Sequence, residues 1–285
     1  MTERRSSGRW AEPAEPVAVE IDVLIPTAGR VAELAVTLAG LAAQDGPPFG
    51  VIVSDQSDDG EPVRHPSVQA MVRVLRAEGH PVELVRHVPR RGLAEHRQSL
   101  LERSSAPAVL FLDDDVWLEP GQLERLWRAL GALGCGFVGS AVQGLSYLDD
   151  ERPHQQESFE LWSGGVAPER IRRGTPGFER WPLHNAANLA HIARRTALPP
   201  EGWAAYKIAW VGGCVLFRRD ALVASGGFVF DRELPEGHSG EDVAAQWRVM
   251  ERFGGAGILP SGAVHLESPT TVPDRSVDVF DVALD

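Results

Sequence analysis

Short apolar runs alternate with amphipathic segments along the first half of the chain. The apolar runs cover residues 21–25, 51–54, 82–85 and 109–112. Runs of this length, bounded by polar residues, are typical of strands buried on both faces of a sheet. Between them apolar residues recur at helical spacing, as at Leu34, Leu38 and Leu41. This alternation predicts an α/β fold with a mostly parallel sheet and helices on both faces.

The same pattern divides the chain into segments of a single domain. Residues 1–18 are polar and contain prolines, which predicts a disordered or loosely attached segment. The alternating pattern occupies residues 19–140, is interrupted over 141–206 and resumes over 207–270. The acidic residues 271–285 are expected to form a surface strap or a disordered tail.

Composition and charge limit the function. The net charge of −12 and the pI near 5.2 disfavour nonspecific nucleic-acid binding and give no support for a polybasic membrane anchor. No run approaches the about 20 apolar residues that a membrane span needs, and the N-terminal residues lack the apolar stretch of a secretory signal, so we expect none. We therefore expect a cytoplasmic protein. Cys135 and Cys214 have glycine-rich, apolar neighbours and are interpreted as small buried residues, although the sequence leaves a disulfide open.

Three consecutive carboxylates, Asp113, Asp114 and Asp115, directly follow the apolar run 109–112. Ligands of open α/β sheets bind beyond the carboxyl ends of the strands. Adjacent carboxylates repel one another and are costly to desolvate, and a divalent cation relieves both penalties. Their oxygens suit Mn²⁺ or Mg²⁺, which commonly share ligands with substrate phosphates. The alternative is a solvated acidic turn that caps the next helix.

Two other predicted strands end in short polar loops at the same edge. Pro26 and Thr27 end the first strand, and Asp55 ends the second. A carboxylate such as Asp55 can accept hydrogen bonds from a base or a ribose, or can serve only as a turn residue. No glycine-rich dinucleotide motif and no P-loop lysine motif is present, which disfavours dinucleotide dehydrogenases and P-loop enzymes.

Together these motifs resemble the GT-A glycosyltransferases, specifically the family-2 group. The resemblance rests on the ordered segments 23–27, 53–60, 91–97, 111–115 (the DxD motif) and 240–242 (the ED motif). It implies a GT-A type, Rossmann-like fold with a nucleotide-sugar-binding half, a variable acceptor-side region at 141–206 and a catalytic half at 207–270. The chain departs from the family pattern at Gln56, and at residues 95–97, where the family often has Ala-Arg-Asn.

The resemblance also implies a metal-dependent hexosyl transfer from a nucleotide-diphosphate sugar to an acceptor hydroxyl. The expected donor-binding residues are Pro26, Thr27, Arg30, Asp55, Arg97, Asp113 and Asp114. The expected ligands of Mn²⁺ or Mg²⁺ are Asp115, Asp113 and His265. Asp242 is expected to be the general base, with Glu241 in support. These two carboxylates also suit the first turn of a helix for electrostatic reasons alone.

Acceptor contacts are expected from aromatic rings, from two glycines that allow close backbone approach, and from one histidine. These residues are Trp162, Trp181, Trp203, Gly212, Gly213 and His238. Core packing is the alternative for the tryptophans, and a bulge is the alternative for the glycines.

Several alternatives stay open. Inversion is implied by the resemblance and by no particular residue, so a retaining enzyme that makes a small glycoside is an alternative. A non-catalytic nucleotide-sugar-binding module is another. A nucleotidyltransferase is disfavoured because residues 26–30 lack the basic glycine-rich loop of that class. The sugar, the base, the acceptor and the oligomeric state are undetermined, and peripheral membrane contact is compatible with the sequence.

Overall fold

A computed structural model describes residues 7–11, 18–230, 234–235, 237–271 and 277–284. The described strands are β1 (Ile21–Thr27), β2 (Phe49–Asp55), β3 (Val82–Arg86), β4 (Ala108–Leu112), β5 (Val116–Leu118), β6 (Phe137–Gly139), β7 (Ala204–Tyr206), β8 (Cys214–Arg218), β9 (His238–Ser239), β10 (Gly255–Leu259), β11 (Ala263–His265) and β12 (Val277–Asp278). The described α-helices are α1 (Val31–Ala42), α2 (Glu61–Arg64), α3 (Pro66–Ala77), α4 (Leu93–Arg103), α5 (Gln122–Leu133), α6 (Asn188–Arg195), α7 (Arg219–Ala224), α8 (Glu241–Phe253) and α9 (Val279–Val282). Single 3₁₀ turns or short 3₁₀ helices cover 7–11, 145–147, 153–155 and 176–184.

The central sheet has the strand order β3-β2-β1-β4-β8-β6-β10-β7. Strands β1 to β4 run parallel, and β6 and β10 share their direction, because β8 is antiparallel to both β4 and β6. The edge strand β7 is also antiparallel. Six strands therefore point one way and two the other, which confirms the predicted mostly parallel α/β sheet.

Apolar side chains fill both faces of this sheet. In β1, Val23 and Ile25 join one core cluster and Leu24 joins the other, and all three are completely buried. Successive strand residues point to opposite faces, so a continuous apolar run is required wherever helices cover both sides. The apolar face of α1, including Leu34 and Leu38, packs into the first cluster. The hydrophobic runs of the sequence thus reflect two-sided burial.

The carboxyl edge of the sheet gathers the predicted polar loops. Beyond β4, the Asp113 amide donates to the Gly213 carbonyl at 2.9 Å, which joins the Asp triplet to the entry of β8. Beyond the triplet, β5 pairs antiparallel with β11, and Val116 lies opposite His265. This two-stranded ribbon carries residues distant in sequence to the same edge.

The second half of the chain adds β8 to the sheet and packs the described part of the tail on the domain. Strand β8 begins at Cys214, because Gly213 has a left-handed φ of +74° that interrupts extended structure. In the C-terminal tail, β12 pairs with β9 and Val279 is completely buried, so the described part of the tail packs on the domain. Most of the predicted segment 1–18 lies outside the described residues. Across the described ranges, no helix is long and apolar enough to cross a bilayer.

Candidate active site

A cleft opens at the carboxyl edge of β1, β2 and β4. It is lined by the loop after β1, the Asp triplet, the start of α4 and the segment after β11. The lining includes Pro26, Thr27, Arg30, Gln56, Arg90, His96, Arg97, Asp113, Asp114, Asp115, His265, Ser268, Thr270 and Thr271. Most of the residues predicted to bind the donor therefore meet in one place.

Asp114 joins the loop after β4 to the loop after β1. Its Oδ2 accepts the Thr27 hydroxyl at 2.6 Å, and its Oδ1 accepts Arg30 Nη1 at 2.8 Å. Burial raises the pKa of Asp114 to about 6, against the opposing effect of these two partners. Asp114 and Thr27 are both buried, so they shape the cleft chiefly by holding its wall.

Asp115 lies beside two basic side chains. Arg30 Nη1 is 2.7 Å from Asp115 Oδ2, and His265 Nε2 is 3.4 Å from the same oxygen. Burial and the neighbouring Asp113 carboxylate raise the pKa of Asp115. Arg30 therefore acts as an internal cation for two members of the Asp triplet.

The chemistry of this donor set fits a divalent cation with few protein ligands. Asp115 and the adjacent Asp113 supply the oxygen ligands that Mn²⁺ and Mg²⁺ prefer. The Glu267 amide donates to His265 Nδ1 at 2.9 Å, which leaves Nε2 as the protonated nitrogen of a neutral ring. Asp115 is therefore better placed as a ligand than His265 in this conformation. Over the described ranges, no cluster of three or more His, Cys, Asp or Glu side chains is arranged to hold a metal.

Arg97 connects the two acidic motifs. Its Nε donates to Glu241 Oε1 at 2.9 Å, and its Nη2 donates to Asp113 Oδ1 at 3.1 Å. Although burial opposes the charged form, Asp113 and Glu241 raise the pKa of Arg97 above its usual value. The Arg97 and Glu241 side chains are only 8% and 3% exposed, whereas the Asp113 side chain is 37% exposed. A buried ion pair thus fixes the start of α8 against the end of β4.

Asp242 lies next to Glu241 but, unlike Glu241, is not held by Arg97. It is half-buried and forms no ion pair with any residue that the structure describes. Burial and the neighbouring Glu241 raise the pKa of Asp242 to about 7. A carboxylate with this pKa can take up a proton near neutral pH, as a general base must.

The loop after β2 carries buried polar atoms without partners among the described residues; Gln56 lines the cleft, whereas Asp55 is completely buried and is not part of its lining. Asp55 Oδ1 accepts both the Ser57 amide and the Ser57 hydroxyl, whereas Asp55 Oδ2 is buried without a partner among the described residues. Gln56 Nε2 and His96 Nδ1 are likewise buried and unpartnered there. Burial and the nearby His87 lower the pKa of His96 to about 3, so this ring is neutral. Buried unsatisfied groups are uncommon, and a polar ligand could satisfy these.

The predicted acceptor residues are distributed over several places. Gly213 lies beside Asp113: a Cβ atom there would be 2.9 Å from Val142 Cγ1 and 3.4 Å from Asp113 Oδ2. The neighbouring Gly212 faces open space. Trp162 and Trp203 flank the edge strand β7 and pack against the core, and Trp181 is 42% exposed on the 176–184 helix. The acceptor role of these tryptophans stays a prediction.

His238 occupies a structural position. Its ring is 1% exposed, its Nε2 accepts the Ala94 amide at 3.1 Å, and its Nδ1 donates to the Pro235 carbonyl at 2.6 Å. Both ring nitrogens are therefore used in joining α4 to the loop before α8. This arrangement supports a role in holding the site and gives no direct support for the predicted acceptor contact.

Sequence reasoning did not assign functional roles to Gln56, His96 or Arg90, which also line the cleft. In the sequence, Gln56 and His96 stand out only as departures from the family pattern. Their positions in the sequence could have pointed to the site, because Gln56 directly follows β2 and His96 lies in the first turn of α4. Their burial without partners is visible only in three dimensions.

Comparison with protein families supports the architecture. The model of "Glycosyl transferase family 2" matches residues 22–200, which is more than half of the chain. The chain belongs to glycosyl transferase family 2. The match includes the Asp triplet and ends before Glu241 and Asp242, so it does not bear on the ED motif. No curated protein sequence matches the chain.

Solved structures share this family-2 chain's fold at low sequence identity. A mannosyltransferase, PcManGT from Pyrobaculum calidifontis in complex with GDP-Man and Mn²⁺, has a TM-score of 0.56 and 16% identity over 93% of this chain and 64% of that one. S. aureus TarS 1-349 has a TM-score of 0.53 and 16% identity over 87% of this chain and 59% of that one. The same TarS fragment in complex with UDP-GlcNAc has a TM-score of 0.52 and 16% identity, over 89% of this chain and 60% of that one. The chain spans about six-tenths of the length of these structures, whose likeness establishes the GT-A fold.

Proposed function

We propose that this protein is a metal-dependent glycosyltransferase that moves a sugar from a nucleotide-diphosphate donor to an acceptor hydroxyl. The main support is the geometry around Arg97, which joins Asp113 of the DxD motif to Glu241 of the ED motif through two short contacts. That link brings the end of the donor cleft next to Asp242. This proximity supports the proposal that the donor site and the candidate base belong to one site.

The donor would lie along the cleft with its nucleoside toward the loops after β1 and β2. Gln56, whose Nε2 has no partner among the described residues, lines the cleft and would donate to a base or ribose. Asp55 Oδ2, likewise without a described partner, would accept from the same group. Pro26 and Thr27 form the adjoining wall, which Asp114 holds in place. The diphosphate would then reach Asp113 and Asp115.

A divalent cation would be held by Asp115, with Asp113 or His265 beside it. When bound, it would neutralise charge on the diphosphate leaving group. Arg30 contacts Asp115 in the structure and would be available to the diphosphate once released. The Mn²⁺ and the nucleotide sugars found with the structural neighbours are consistent with this assignment.

Asp242 would accept the proton of the attacking hydroxyl, and Glu241 would keep Arg97 in position. The acceptor oxygen would form its bond to the anomeric carbon as the bond to the diphosphate breaks, with inversion of configuration. A retaining outcome is tested by the anomeric configuration of the product.

The first experiment measures thermal stability with a panel of nucleotide diphosphates, with Mn²⁺ or with a chelator. A ligand that binds only the folded state raises Tm by mass action. We expect a metal-dependent shift with one nucleotide, loss of that shift in Asp115→Ala, and its retention in Glu83→Gln, which alters an exposed residue on β3. No shift with any nucleotide would contradict the proposal. Binding by the wild type without release of nucleotide diphosphate from any donor sugar would favour the binding-module alternative.

A further inference from the structure

The C-terminal residues 277–280 pack on the segment that leads into α8. Strand β12 pairs with β9, with Val277 opposite His238 and Asp278 opposite Ser239. The Ser239 hydroxyl also donates to Asp278 Oδ1 at 2.9 Å. The chain end is therefore bound to the two residues that directly precede Gly240 and the ED motif.

Phe280 packs over the first turn of α8. Its ring centroid lies 5.1 Å from that of Trp247 on α8 and 6.4 Å from that of Trp210. Gly240 precedes the helix with φ +77°, and a Cβ atom there would be 2.6 Å from Phe280 Cδ1. Only glycine allows the ring to approach the backbone this closely, so Phe280 packs directly against the backbone that leads into Glu241 and Asp242.

Arg173 holds these C-terminal residues from outside. Its Nη2 donates to Asp278 Oδ2 at 3.0 Å, and its Nε donates to Asp281 at 2.7 Å. Its guanidinium carbon also lies 4.9 Å from the Phe280 ring centroid. The 277–280 segment is thus fixed on one side by Arg173 and on the other by the start of α8.

We propose that residues 277–280 are a positioning element for the general base Asp242, with Phe280 as its principal side chain. This inference rests on the proposed function of Asp242. Phe280 lies on the flank of α8 and is not among the residues that line the donor cleft. It would therefore govern the placement of the base without contributing to donor binding.

The test compares matched Phe→Leu substitutions. Phe280→Leu removes the ring at α8, and Phe49→Leu removes a ring that is 1% exposed at the opposite, amino end of β2. Hydrogen exchange of the Ala244 amide, which donates to the Gly240 carbonyl at 2.9 Å, reports on the first turn of α8 without any need for activity. Steady-state kinetics then separate kcat from the donor KM.

We expect Phe280→Leu to speed exchange at Ala244 and to lower kcat about 10- to 100-fold, because small misplacement of a reacting group is costly. The donor KM should stay within about twofold, and Phe49→Leu should change neither exchange at Ala244 nor kcat, although both variants lower Tm. Unchanged exchange and kcat in Phe280→Leu would overturn the inference, as would equal losses of kcat in both variants. Absence of turnover in the wild type would instead refute the proposed function. Hydrogen exchange at Ala244 would then still show whether Phe280 positions the start of α8.

Discussion

Replacing Arg97 by methionine should cost much of the stability of the protein. Arg97 is the buried cation that the Glu241 and Asp113 carboxylates share, at 2.9 and 3.1 Å. Methionine retains most of the apolar stem but leaves Glu241, whose side chain is 3% exposed, without its partner. Removing one member of a buried ion pair typically destabilises a protein by about 3–5 kcal/mol.

Most of this loss of stability should come from the unpaired Glu241 carboxylate. Asp113 is 37% exposed, so water can replace part of its lost contact, whereas Glu241 has no such access. Arg97→Met combined with Glu241→Gln should therefore be more stable than the sum of the single changes predicts, by about 1–3 kcal/mol. The double variant no longer buries an unpaired carboxylate at this position.

Urea unfolding followed by circular dichroism measures these differences, and unchanged m-values would show that the same transition is compared. The control is Arg103→Met, which breaks the exposed pair with Glu83 at 2.8 Å and should cost no more than about 1 kcal/mol. A loss below about 1 kcal/mol for Arg97→Met, or strict additivity in the double variant, would refute the view that Arg97 compensates a buried charge.

Three further predictions concern pH and metal binding. The base must be ionised, so kcat/KM should rise with pH through about 7, the pKa of Asp242. Asp242→Asn should lower turnover by about 10²- to 10⁴-fold while nucleotide binding persists. A flat pH profile between pH 5 and 9 would contradict this role of Asp242. Burial lowers the pKa of His96 to about 3, so below about pH 6.5 this ring binds a proton in the unfolded chain and stays neutral in the folded protein. The free energy of unfolding should therefore fall by about 2 kcal/mol between pH 7 and pH 5. Urea unfolding at pH 7 and 5 checks this, and His96→Gln should reduce the difference. Arg30→Gln should bind Mn²⁺ more tightly than the wild type in the absence of nucleotide, because Arg30 contacts the Asp115 oxygen that would bind the ion. The electron paramagnetic resonance of free Mn²⁺ measures this binding. Equal or weaker binding by the variant would contradict a competition between Arg30 and the ion.

The sequence alone determined the layers of this protein, since two-sided burial requires the continuous apolar runs of β1, β2 and β4 and the one-sided pattern of the helices between them. It also determined that Thr27, Asp55 and Asp113 share one edge, because parallel strands bring their carboxyl ends together. These inferences depend only on local periodicity and chain direction.

Tertiary structure alone decided which charges meet. Arg97 and Glu241 are 144 positions apart, and Arg30 and Asp115 are 85 positions apart. No local pattern encodes either pair. The strap expected at the C-terminus likewise acquired a specific place only through the contact of Phe280 with Gly240. Long-range pairing depends on how helices and loops pack around the completed sheet, so the sequence indicated the chemistry of the site while packing assigned its partners.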